Sequence, residues 1–370
     1  MRLHLPSYAT AALLALVTCR GDQGPEAPRQ VTAGPRPSLV TVANGVTLVG
    51  AGNIARCDRT NDDATATLLD AIPGTVFALG DAAYPNGTTT NFTCYNASWG
   101  RHKARTYPAT GNHDYDSSAT ASGYFQYFGA VAGDSSKGYY SYDLGAWHII
   151  VLNSNSSRVA TTAGSPQEAW LKADLAAAKK QCVLAMWHAP RFYSSTSSSF
   201  TPTASLKPFW DDLYAAHATV IVNAHMRDYE RFAPQTPAGT VDSVGGIRQF
   251  IVGTGGEGLD ATNTLIAPNS EVRISGVYGV LKLTLGDGAY SWQFVPVAGQ
   301  TATDAGSGTC YTPVPVVNAG FDLAPHPGDT VNLAVTFADT GANRAPWAYT
   351  IAWGDGDSTE IGRASCRERV

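Results

Sequence analysis

The chain has 370 residues, 44% of them hydrophobic, which suggests about two domains and enough apolar material for a core. Charged residues reach only 15%, and 25 Lys+Arg against 30 Asp+Glu leave a net charge of -5, so no basic footprint for nucleic acid is present. No apolar run beyond the N-terminus approaches the roughly 18 residues of a membrane-spanning helix.

In chain order, residues 1–19 read as an export signal, with Arg2 ahead of the short apolar stretch ATAALLALVT. Leu16-Val17-Thr18-Cys19 resembles a bacterial lipobox, although Thr18 stands where a smaller residue is usual. An exported protein is expected, either secreted, periplasmic or held at the cell surface by a lipid anchor. Residues 20–45, with Gly, Pro and charges, read as a flexible linker.

From 46 to 300, strand-like runs alternate with helical patterns. Strands are predicted at 46–50, 75–79, 183–187, 219–223 and 248–252, and helices at 61–71, 165–180 and 206–217. Hairpins are predicted at 139–144 with 147–152, and at 277–285 with 289–297 about Gly286-Asp287-Gly288. This alternation implies layered sheets with helices outside. Once Cys19 and Cys366 are set aside with the two ends, Cys57, Cys94, Cys182 and Cys310 remain. Four cysteines in an exported chain favour two disulfides over buried thiols, and of three connectivities Cys57–Cys94 with Cys182–Cys310 is the one expected.

The polar clusters fall where these strands end. Gly80-Asp81 leads to Tyr84, Gly111-Asn112-His113-Asp114 follows a short run at 106–109, and Trp187-His188-Ala189-Pro190 follows the strand at 183–187. His225 opens the segment His225-Met226-Arg227-Asp228-Tyr229-Glu230-Arg231. A carboxylate, a phenol, an amide and two imidazoles on such loops make a metal site with mixed O and N donors.

Taken together, GD-x-x-Y, GNHD, WHxP and H-x-x-x-YER resemble the calcineurin-like metallophosphoesterases, and the tyrosine after GD points to their purple-acid-phosphatase-like branch. The resemblance covers 46–300. It implies an α/β fold, an αββα sandwich of two mixed sheets flanked by helices, that hydrolyses phosphate esters with Fe, Zn or Mn ions. One metal position would take Asp81, Asn112, His188 and His225, with His113 as general acid and Asp114 orienting its imidazole. Asn112, His113 and Arg227 would bind substrate.

The other position would take a first-motif aspartate, Asp81, Tyr84 and a second histidine. Here Asn53 replaces the aspartate and Arg227 the histidine. Asn53 still offers an amide oxygen, whereas a guanidinium has no acceptor for a metal. Each of the two changes needs a single base, but Met226 in place of the family's frequent aspartate needs a wholly different codon, so divergence is read here. One metal position is therefore expected intact and the other degraded, with Arg227 either clamping phosphate or plugging the gap against Asp81. A weak or inactive phosphate- or glycan-binding surface protein on the same scaffold is the alternative. His102 is expected at the surface, and Tyr124, Phe125, Tyr127 and Phe128 in the core.

Beyond Thr312, residues 313–360 resemble part of a PKD-type Ig-like β-sandwich, which implies spacing or glycan contact at a cell surface. The stretch is about half of a full Ig-type sandwich of roughly 100 residues. The last ten residues, 361–370 (IGRASCRERV), resemble the translation of a sequencing adapter and are read as read-through.

Overall fold

The computed structural model describes residues 42–196, 199–260 and 263–312, and the backbone of four further strands. The expected leader at 1–19, and the linker up to residue 41, lie outside the described residues. Of the expected Ig-like module, the backbone pairs Val316–Asn318 with Thr336–Ala338, and Trp347–Ala352 with Ser358–Ala364. The last of these strands enters the tail read as read-through.

Residues Leu39–Thr312 form one compact unit. Its first strands are β1 (Val46–Ala51), β2 (Ala55–Arg56), β3 (Thr75–Leu79), β4 (Ala83–Tyr84) and β5 (Thr106–Ala109). Next come β6 (Tyr140–Leu144), β7 (Trp147–Val151), β8 (Cys182–Met186), β9 (Val220–Asn223) and β10 (Tyr229–Phe232). The series ends with β11 (Arg248–Val252), β12 (Ser270–Ile274), β13 (Gly279–Gly286), β14 (Ala289–Pro296) and β15 (Ala305–Thr309). The helices are α1 (Asn61–Ala71), α2 (Thr89–Ala97), α3 (Ser122–Phe128), α4 (Pro166–Ala177) and α5 (Lys207–Ala215).

Two mixed sheets result. One has the order β15-β14-β13-β1-β3-β5, with β1, β3 and β5 parallel. The other runs β12-β10-β11-β9-β8-β7-β6, with β7, β8, β9 and β11 parallel. Strand periodicity explains the layers of the second sheet. Ile149, Val151, Leu184, Met186, Val220, Val222 and Phe250 enter a core shared with the first sheet. Their neighbours Ile150, Ala185, Ile221 and Ile251 enter a separate core with Leu171 of α4 and Phe209, Trp210 and Leu213 of α5. A strand buried on both faces reads as a continuous apolar run, as WHIIV and CVLAM nearly do. Each fully buried large side chain contributes roughly 1.5–3 kcal/mol.

Helix α4 begins where the sequence indicates. The Ser165 hydroxyl caps it by accepting from the Glu168 N–H, and Pro166 occupies its first turn. It ends at Ala177, short of 180, because Ala178 turns extended. Helix α2 has no counterpart among the predicted elements. Its residues TTNFTCYNA form helix poorly on their own, and a Thr88–Asn91 capping box starts it. Disulfide Cys57–Cys94 ties it to the loop after β2, and Cys182–Cys310 joins the start of β8 to the end of the other sheet. Both pairings are the expected ones. His102 is buried, not at the surface, because its ring packs against the Ala66 carbonyl of α1 beside Arg105. Tyr124, Phe125 and Phe128 lie in the core, with Tyr127 packed against it.

Candidate metal centre

Six parallel strands end at one place. Asn53 follows β1, Asp81 follows β3, Asn112 follows β5, His188 follows β8, His225 follows β9 and Glu257 follows β11. The loops are tightly folded: Asn53, Asp81 and His225 hold left-handed φ values of 55°, 51° and 65°. Non-glycine residues rarely adopt such angles, and they gather at functional sites. Close approach is enforced by Gly111, where a Cβ would stand 2.1 Å from Asp81 Oδ1.

Donor atoms of Asp81, His188 and His225 all lie within 4.8 Å of one another. His188 Nδ1 meets the Leu79 carbonyl at 2.7 Å, so that nitrogen carries the proton. Its Nε2 then faces Asp81 Oδ2 at 3.3 Å and His225 Nδ1 at 3.2 Å. Such a ring anchored through its other nitrogen is the usual arrangement of a metal-binding histidine. Asn112 Oδ1 is buried and has no hydrogen-bond partner among the described residues. Converging acceptors and an orphaned amide oxygen are what a cation would resolve, so this half of the pocket fits one metal ion.

Electrostatics agree. Burial pushes the Asp81 carboxyl up, but the adjacent His188 ring, then His113 and the Tyr84 hydroxyl, hold it well below the usual carboxylate range. Burial pushes His188 down, and the Asp81 carboxylate more than offsets it. Burial and the His188 ring push His225 down to about 4.

The other half is different. Asn53 Nδ2 donates to the Tyr84 hydroxyl at 2.7 Å, and that hydroxyl donates to Asp81 Oδ2 at 2.7 Å. Asn53 Oδ1 accepts from the His225 N–H at 3.0 Å. Asn53 and Tyr84 are thus committed to neighbouring groups. Burial, then the Asp81 charge, pushes the Tyr84 phenol far above its ordinary value, so it keeps its proton. Arg227 does not pair with Asp81 as the plug reading expects. Its Nη1 stands 3.1 Å from Glu257 Oε2, and its guanidinium carbon lies 5.4 Å from the Tyr84 ring centroid. Glu257 also pairs with Arg56 at 3.1 Å. A second ion does not fit this hydrogen-bonded arrangement.

The structure corrects the role given to Asp114. Its Oδ2 accepts from the N–H groups of Asp81 (3.0 Å) and Gly111 (2.8 Å), so it pins two loops together and does not touch the His113 ring. Burial, then the Asp81 charge, pushes its carboxyl up to about 7. His113 Nδ1 instead meets the Pro85 carbonyl and Asp116 Oδ2, each at 2.8 Å, while its Nε2 lies 4.0 Å from Asp81 Oδ2. Asp116 and Glu257 are absent from the sequence reading. The run Gly253-Thr254-Gly255-Gly256-Glu257-Gly258 directly after β11 was the available signal for Glu257.

Residues 58–227 match the calcineurin-like phosphoesterase family. Purple acid phosphatase 15 of Arabidopsis thaliana is 28% identical over 204 residues, covering 46% of this chain and 38% of that protein. Purple acid phosphatase 23 of the same plant is 26% identical over 200 residues, or 44% of this chain and 43% of its own length. The chain thus spans about two fifths of these curated relatives. Among solved structures, purple acid phosphatase PPD1 from yellow lupin (Lupinus luteus) superposes with a TM-score of 0.59 at 17% identity, over 72% of this chain and 54% of that one. GAP50, the anchor in the inner membrane complex of Plasmodium, gives 0.55 at 10% identity, over 72% and 90%. At these identities the structural likeness concerns the fold. Residues 58–227 are thus similar to the calcineurin-like phosphoesterases, and purple acid phosphatases are among the relatives of this region.

Proposed function

We propose that the protein is an exported phosphoesterase acting on phosphate esters with one divalent ion, held by Asp81, Asn112, His188 and His225. The observation that carries this reading is the contrast inside the pocket. Donor atoms of Asp81, His188 and His225 converge and the Asn112 amide oxygen is buried without a partner, while Asn53, Tyr84 and Arg227 already face protein groups. When bound, such an ion (Zn, Mn or Fe(II)) would supply a water of lowered pKa and charge for the phosphoryl oxygens.

The chain's own residues supply the rest. His113 has Nδ1 committed to Pro85 and Asp116, which leaves Nε2 as the atom that passes a proton to the leaving oxygen. Asp114 keeps the Asn112–His113 loop against Asp81. Arg227, with a forked cation beside Tyr84, supplies fixed positive charge toward phosphate on the side where the second ion is missing. Two disulfides support an oxidising compartment and hence export. Among the described residues, no helix is long and apolar enough to cross a membrane. The lipid anchor and the glycan-contacting module remain part of the same proposal.

The satisfied Asn53–Tyr84–Asp81 chain also favours a second reading, a phosphate-binding protein with little turnover. Assay of the purified chain with an aryl phosphate and added Zn, Mn or Fe(II) separates the two. Turnover above a chelated control is the expected result; binding of phosphate without turnover under any metal or pH leaves the second reading.

A further inference from the structure

We infer that Glu257 is a built-in counter-anion that competes with phosphate for Arg227 and so sets the pocket's affinity for phosphate. This rests on the reading that the pocket receives a phosphoryl group. Glu257 is only 3% exposed, and its carboxylate lies between two guanidinium groups, Arg56 at Oε1 and Arg227 at Oε2. Arg59 also donates to its backbone carbonyl. The two carboxylate contacts are unequal. Arg56 makes an aligned hydrogen bond, whereas Oε2 has no aligned donor although Arg227 Nη1 is 3.1 Å away. Arg227 is thus held by charge more than by a directed bond. The Tyr84 ring lies beside the guanidinium, Asp260 accepts from the Arg227 backbone N–H and adds negative charge nearby, and about a third of the Arg227 side chain is exposed.

Two effects of Glu257 oppose each other. It limits the motion of Arg227, which favours anion binding, and it places a negative charge close to the incoming dianion, which disfavours it. The charge decides. A unit charge a few ångströms from a dianion, at the screening of a partly buried site, outweighs the ordering of one side chain. An affinity kept low in this way lets the product phosphate leave a pocket that carries a permanent cation.

The test is calorimetric titration of the full chain with inorganic phosphate, in chelator and again with one equivalent of Zn. Glu257→Gln should tighten phosphate binding by about tenfold or more. Arg227→Met should weaken it by about tenfold, and in that background Glu257→Gln should lose most of its effect. Arg56→Met, which leaves Glu257 and Arg227 in place, should weaken binding by freeing Glu257 to face Arg227; it serves if the Gln variant does not fold. Unchanged or weaker phosphate binding by a folded Glu257→Gln variant overturns the inference, as does a full Glu257 effect without Arg227. Failure of aryl phosphate turnover with the coupling intact would remove the enzyme reading and leave this one standing.

Discussion

The two halves of the pocket share Asp81 yet solve opposite problems. On the His188–His225 side, donor atoms of Asp81, His188 and His225 converge in a group that could hold a metal ion. On the Asn53–Arg227 side, the Asn53 amide donates to Tyr84, the Tyr84 hydroxyl donates to Asp81, and the Arg227 guanidinium faces Glu257. At the two positions where the family resemblance implies ligands, Asn53 donates to Tyr84 and Arg227 faces Glu257. An amide nitrogen can donate to Tyr84 where a carboxylate cannot, and an arginine brings charge that an imidazole brings only through a metal.

The comparison breaks most severely at His188. His188→Ala should remove the retained metal, with a loss of metal affinity beyond the roughly 10–100-fold typical of outer-shell changes, and abolish turnover. Equilibrium dialysis followed by elemental analysis checks the first and an aryl phosphate assay the second. Retention of metal would show that the converging donors are not its site.

Next in size, His113→Gln should lower turnover by about 10²–10⁴-fold if it is the proton donor. Asp116→Asn should lower it less and move the pH profile of kcat, while metal content stays constant. An Asp114→Asn variant with the same shifted profile, and no loss of stability, would return the orienting role to Asp114.

The comparison sharpens if the Asn53–Arg227 half is given the ligands that the family resemblance implies. Asn53→Asp with Arg227→His should admit a second ion and raise turnover by roughly tenfold or more, with each single change doing much less because ligands act as a unit. Additive small effects from the singles would mean that the two positions do not belong to one site.

The strand-end motifs made most of this pocket legible from the sequence, since Asp81, Asn112, His188 and His225 each follow a strand whose apolar run is plain. What stayed hidden depends on geometry that no motif encodes. His113 and Asp116 face each other because His113–Tyr115 is a 3₁₀ turn, which brings residues three apart onto one side. Reading GNHD as a unit favours the adjacent Asp114, which points back to the loop backbone. Glu257 was hidden because its partners, Arg56 and Arg227, lie 201 and 30 positions away in the chain. Helix α2 was missed because its capping box and disulfide, not its composition, hold it.

A cluster outside both halves gives the smallest expected effect and a control for global stability. His148 meets Asp143 and Asp174, each at 2.8 Å, so both ring nitrogens face carboxylates. Hydrogen bonding to Asp174 outweighs burial, and with Asp143 it raises the imidazole above its ordinary 6.5. The folded-state value is the higher one, so its stabilisation is complete below pH 6.5 and fades as pH rises through the raised value. His148→Gln should remove about 1 kcal/mol of stability at acidic pH and less at alkaline pH, read from denaturant midpoints. An equal loss at both ends would deny the charged pairing, and metal content should not change.

The central claim is that one half of the pocket binds a metal and the other does not. Elemental analysis of the full chain, loaded with Zn or Fe and dialysed against a weak chelator, tests it directly. One tightly held ion per chain, lost in His188→Ala, is the predicted result; two tightly held ions, or a purple tyrosinate–Fe(III) absorption band from Tyr84, would contradict it.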